Sequence, residues 1–155
     1  MKISEQFLVI PILEPLDTEA GLDGQSVNMG LLHSICYALT FGAVTGDAVL
    51  TFSVGATDGV KTTAIAFTYR RSAGDFKAAN ADLYGALTAV ASTGLTLVAA
   101  TNDHRTLLIE FDSSAIPDAT PWLTLTLDAA ASASLTACLA VGVPRYQSNT
   151  GTTAV

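Results

Sequence analysis

Residues 121–128 read Pro121-Trp122-Leu123-Thr124-Leu125-Thr126-Leu127-Asp128, and the strict alternation of leucine with threonine is the period of a half-buried β-strand. Successive side chains on a strand point to opposite faces, so the leucines form an inward row and Trp122, Thr124 and Thr126 an outward one. That outward row is neutral, where a lone domain often carries Lys or Glu. The neighbouring sequence has the same period. Strand-like runs cover 6–13, 27–43 (one long or two short), 48–56, 62–71, 94–100, 105–114 and 135–146, with turn signals at 45–47, 57–59, 101–104 and 116–121. About eight strands at this spacing predict an all-β fold, an antiparallel β-sandwich or jelly-roll-like barrel. No strand–helix–strand alternation occurs, which excludes a doubly wound nucleotide-binding fold.

Two segments depart from the pattern. In "QFLVIPIL" (6–13), Pro11 lacks a ladder donor and marks an edge strand or arm. In 73–91, Asp75 stands where a helix cap would, with Phe76, Ala79, Leu83, Ala86, Leu87 and Val90 at helical spacing, while Gly85 opposes a helix. The segment reads either as one short helix over about 75–91 or as an irregular excursion. The domain plan is an extended N-terminal arm (1–15), a single β domain (16–147) and a flexible C-terminal tail (148–155).

The 155 residues are half apolar but only 14% charged, and Ala and Thr make up more than a quarter of them. Typical soluble domains are about 25% charged. Small neutral side chains have little entropy to lose on contact, which suits a subunit packed against neighbours; a monomer with a small-residue core has the same composition. The net charge of −7, with three lysines and four arginines, argues against nucleic-acid binding, which needs clustered cations on phosphates. No apolar run approaches the roughly 20 residues that cross a bilayer, so no membrane partner is expected. The N-terminus does not read as a signal peptide: Glu5 and Pro11 interrupt it, and no small-residue cleavage site follows. Cys36 and Cys138 sit in apolar runs and read as core thiols; whether they pair is open at this level.

Chemistry finds little support. There is no G-x-S-x-G elbow, phosphate loop or zinc-type spacing. His33 reads as a structural histidine, His104 as a turn residue beside Asp103, and Asp17, Glu19 and Asp23 as a solvated loop. No catalytic residue, metal or cofactor is expected. What remains is a set of interface candidates: Phe7, Val9 and Ile10 in the arm, Arg70 and Arg71 in "FTYRRS", Trp122, and Arg145 with Tyr146 in "VPRYQ". Arginine beside tyrosine is the composition of interface hot spots; the alternative is strand-end residues tied down locally.

The order of "VIPILEPLD", "ICYALTFGAVTG", "AVLTFSVGATDG", "AIAFTYRRS", "LLIEFDSSAI" and "LTACLAVGVPRYQ" resembles the capsid decoration, or head-stabilising, proteins of tailed bacteriophages. The resemblance spans most of 7–147, is one of pattern, and includes no catalytic fingerprint. It implies a virion protein, made in the host bacterial cytoplasm, that sits on the outer capsid and bridges capsomers. Its partners would be the major capsid protein and copies of itself, commonly as trimers, with 1–15 reaching a neighbour. Other readings of the same sequence are a tail, fibre or head–tail junction component, or a carbohydrate-binding β-sandwich module.

Overall fold

In the computed structural model, residues 6–17, 19–128, 134–145 and 154–155 are described. The chain is all-β and antiparallel, in two sheets. The larger sheet has the order β1 (Leu8–Asp17), β12 (Ser134–Pro144), β4 (Leu32–Val44), β10 (Thr106–Asp112), β7 (Phe67–Arg71), β8 (Thr88–Val90). The smaller has β2 (Leu22–Asp23), β11 (Trp122–Leu127), β5 (Ala48–Gly55) and β6 (Thr63–Ile65); β3 (Val27–Asn28) also pairs with β11, and β9 (Leu95–Leu97) with β5. Each of the eight expected runs contains a strand, and the additional strands are two or three residues long.

The core lies between the sheets. Tyr37 of β4 and Phe111 of β10 meet Phe52 of β5 at ring-centroid distances of 5.1 and 4.8 Å, and Phe67 of β7 lies 5.2 Å from Phe52. The run 62–71, read as one strand, changes sheet at Ala66: β6 pairs with β5, whereas β7 pairs with β10. This crossing ties the two layers together.

Pro11 lies on an edge. β1 pairs only with β12, and register breaks flank Leu13. Residues 8–15, expected as an arm, are therefore part of the chain's own sheet, with Ile10, Ile12 and Leu13 in the core. Residues 1–5 lie outside the described residues, as do 146–147 and, of the expected tail, 148–153. Ala154 beyond them is buried, and its carbonyl accepts from the Asn28 N–H at 2.7 Å.

The helix considered over 75–91 does not form. Successive turns run from Asp75 to Leu83, and Phe76, Leu83 and Leu87 are exposed. A helical apolar stripe is stabilised by burial, and no surface is offered to this one. The Asp75 carboxylate pairs with Arg105 Nε at 2.8 Å in place of capping a helix. Ala99–Asn102 forms a single α-helical turn, α1.

Candidate functional site: the outer face of the large sheet

The outward row of β11 is not a free surface. Thr124 is 2% exposed, and its hydroxyl lies 2.7 Å from that of Ser26. Ser26 Oγ also accepts from the Gly59 N–H at 3.1 Å, and Lys61 Nζ bonds the Asp23 carboxylate at 2.7 Å. Thr126 Oγ1 donates to the same Asp23. Thus the segment around Ser26 and the β5–β6 turn cover β11 with the chain's own polar groups. The expectation that this row faces outward is corrected: Thr124 is buried, and Trp122 and Thr126 are half-buried.

The exposed neutral surface lies on the other sheet. On β4 the large residues Ile35, Tyr37, Leu39 and Phe41 face inward, and Ser34, Cys36, Ala38, Thr40 and Gly42 face outward. On β12 the sizes are reversed. The inward positions hold Ser134, Thr136, Cys138, Ala140 and Gly142, while Leu135, Leu139, Val141 and Val143, with the smaller Ala137 between the two leucines, point away from the core. The inside is tight: a Cβ on Gly142 would come 3.0 Å from Leu32 Cδ1. Small residues fit there because the facing side chains fill the interior.

The two strands are neighbours in register, with Leu139 opposite Ala38 and Val141 opposite Cys36. A ridge on β12 therefore runs beside a trough on β4. Leu135 and Leu139 are 51% and 53% exposed. Val9 of β1, 54% exposed, stands opposite Val141, and Leu108 of β10 stands opposite Ala38 on the far bank. Neither β4 nor β12 contains a Lys, Arg, Asp or Glu. At one end the trough deepens into a groove of about 500 Å³ lined by Phe7, Ser34, Cys36, Glu110, Asp112, Val141 and Val143. Burial first, and then the Glu110 charge, raise the Cys36 pKa, so this thiol stays protonated and is a poor nucleophile.

The predicted interface residues separate. Val9 lies on this face and Phe7 lines its groove. Ile10 belongs to the core, because alternation along β1 turns it inward. Arg70 is exposed, and its Nη1 donates to the Gly85 carbonyl at 3.1 Å; Arg71 lies over the Tyr69 ring, 5.5 Å from its centroid. Arg145 donates from Nε to Leu32 O (2.9 Å) and from Nη2 to Ser113 Oγ (3.0 Å), beside a cavity of about 230 Å³ that includes Met29 and Pro121. Arg145 follows β12 and lies beside the N-terminal end of β4, and Arg70 lies across β10 from Ala38, roughly 20 Å along the strands from it. The arginines are not one cluster. Trp122 is half-buried in the other sheet, and Tyr146 lies outside the described residues. Arg105, absent from the expected set, clamps the 72–75 loop through the carbonyls of Ser72 and Ala73.

The cysteines are on opposite faces, Cys36 outward and Cys138 inward, and both are free. His33 is exposed and not a core residue, and His104 occupies a left-handed turn with φ +52°. Asp17, of the acidic loop, accepts from the N–H groups of Glu19 and Ser134. Among the described residues, no three His, Cys, Asp or Glu side chains are grouped to hold a metal ion, and no helix is long and apolar enough to cross a membrane.

The missed part of the face had a signal in "SLTACLAVGV" (134–143). Its alternation sets larger residues against smaller ones except at Ala137, but an apolar/polar reading turns Leu135 inward and Ser134 and Thr136 outward, the reverse of what the fold does.

Compared with known protein families, the chain matches none, and no curated protein matches it. Among solved structures it is similar to the SPBc2 prophage-derived protein YomS, with 12% identity over 87% of this chain and 92% of that chain, at a TM-score of 0.47. It is also similar to a chain in the structure of infectious bursal disease virus Gx strain, with 14% identity over 90% of this chain and 41% of that one, at a TM-score of 0.25.

Proposed function

We propose that this chain is a structural virion protein that binds the outer surface of a tailed-phage capsid and stabilises it by bridging neighbouring capsomers. It acts by binding alone, without a catalytic step. Its partners are the major capsid protein and further copies of itself, and its place of action is the particle surface. The sequence pattern described above points to this class. The observation that carries the reading is the uncharged ridge and trough on β12 and β4, an exposed apolar surface of the kind that marks protein contacts. Many modest contacts repeated over a lattice add up when the geometry lets them engage together, and binding only the assembled shell favours that state by mass action.

A carbohydrate-binding module would need an exposed aromatic platform. Among the described residues Phe76 is the one aromatic that is exposed, with Phe7, Tyr84 and Trp122 half-buried and the others in the core, so no row of exposed rings is present there. The test is sedimentation of the purified protein with empty phage heads. Co-sedimentation that saturates at a fixed ratio to the capsid protein, with heads that then withstand more heat, is expected. Protein left in the supernatant at every ratio overturns the proposal.

A further inference from the structure

We infer that a second copy of this chain packs on the outer face of the large sheet, with the β12 ridge of each copy in the β4 trough of the other. The inference rests on the reading above only in treating this face as a protein contact. The first argument is shape. Ridge and trough lie side by side, so a two-fold axis running along the strands between them sets Leu139 over the partner copy's Ala38 and Ala38 under its Leu139. The same rotation brings Leu108 over Pro11, since these flank the Ala38–Leu139 pair in register. An isologous contact needs one patch to complement itself, and this patch does. Aligned sheets packed through such faces are the ordinary geometry of a β-sandwich.

The second argument is charge. Copies carrying −7 each repel, and like charges brought together across a contact cost several kcal/mol. Neither β4 nor β12 carries a carboxylate, ammonium or guanidinium group; the charged side chains stand on the flanking strands, Glu110, Asp112 and Arg70 on one bank and Glu14 and Asp17 toward one end of the other. A contact between two such acidic chains is least opposed on this face.

The third argument is area. Four adjacent strands, β1, β12, β4 and β10, at about 4.8 Å spacing and about ten residues of roughly 3.3 Å, give a footprint on the order of 600 Å². A stable interface of standard size uses roughly 800 Å² per partner in accessible area, which exceeds the planar footprint of any corrugated face. Extension through the sheet edge is a poorer route. Pro11 and Pro15 lack N–H groups on β1, the ladder there is broken twice, and the opposite edge, β8, has three residues.

The test is sedimentation equilibrium of the free protein, without capsids, from 1 to 200 µM. Wild type is expected at twice the chain mass. Leu139→Lys, on an exposed side chain, is expected to raise the dimer dissociation constant at least 30-fold while leaving the thermal midpoint of dilute monomer unchanged. Ala38→Phe, which fills the trough, does the same and serves if Leu139→Lys fails to fold. Val60→Lys, on the distant β5–β6 turn, leaves the dimer intact. A wild type that is monomeric throughout overturns the inference, as does an assembly unaffected by both face variants or one closed with an odd number of copies. Head binding by a protein that is monomeric when free would overturn this inference and spare the proposed function; a dimer that ignores heads would do the reverse.

Discussion

The hydroxyls of Ser26 and Thr124 lie 2.7 Å apart across 98 positions of sequence, and Ser26 also accepts from the Gly59 N–H. This pair closes the outer side of β11. Thr124→Val removes one buried hydrogen bond and is expected to cost about 1 kcal/mol. Ser26→Ala also strands the Gly59 N–H, so it is expected to cost about 2 kcal/mol. Urea unfolding midpoints at constant slope measure both, and equal costs would show that the Gly59 bond contributes nothing.

Gly55 ends β5 where the returning turn passes over it. A Cβ there would lie 1.7 Å from the Val60 carbonyl oxygen, a backbone atom that cannot swing aside. Gly55→Ala is expected to cost roughly 3 kcal/mol or more, because the turn must lift off β11 to admit the methyl group. Thermal unfolding checks the size, and faster hydrogen exchange at Thr62, whose N–H bonds Val54 O, checks the cause.

Burial, and secondarily the Cys36 thiol, push the Cys138 pKa up to about 12 from an ordinary 9.0. The folded chain therefore holds this proton where the unfolded chain releases it, and stability falls as pH rises from about 9 toward 12. At pH 10.5 the loss from this group is about 2 kcal/mol. Cys138→Ala costs stability at pH 7 through the void it leaves, but the gap to wild type should narrow at pH 10.5. Guanidinium unfolding at the two values tests this; a constant gap means the thiol titrates normally.

Arg105 holds the 72–75 loop with two carbonyls and the Asp75 carboxylate. Beyond it, Lys77 is exposed in a turn with φ +72°. Arg105→Met is expected to speed tryptic cleavage after Lys77 on the order of tenfold, since local opening governs cutting in such segments. An unchanged cleavage rate, read by mass spectrometry, would mean that the turns hold the loop without the guanidinium.

The strand set was legible in the chain because period-two alternation is local: each residue's direction follows from its neighbour's. "WLTLTL" read correctly as a strand with its leucines inward, and Pro11 correctly marked an edge. Composition likewise indicated a neutral surface. The placement of that surface depends on which other segments cross a strand, and no local pattern carries this. Nothing in "PWLTLTLD" announces that Ser26 and Gly59 will cover Thr124. The stripe from Phe76 to Leu87 has helical spacing but finds no surface to bury it, so it stays in turns. On β12 neither face is charged, and the opposing core decided that Cys138 and Gly142 turn inward while Leu139 stands in solvent. Alternation fixes two faces for every strand; only the packing of distant segments against it selects which face is buried.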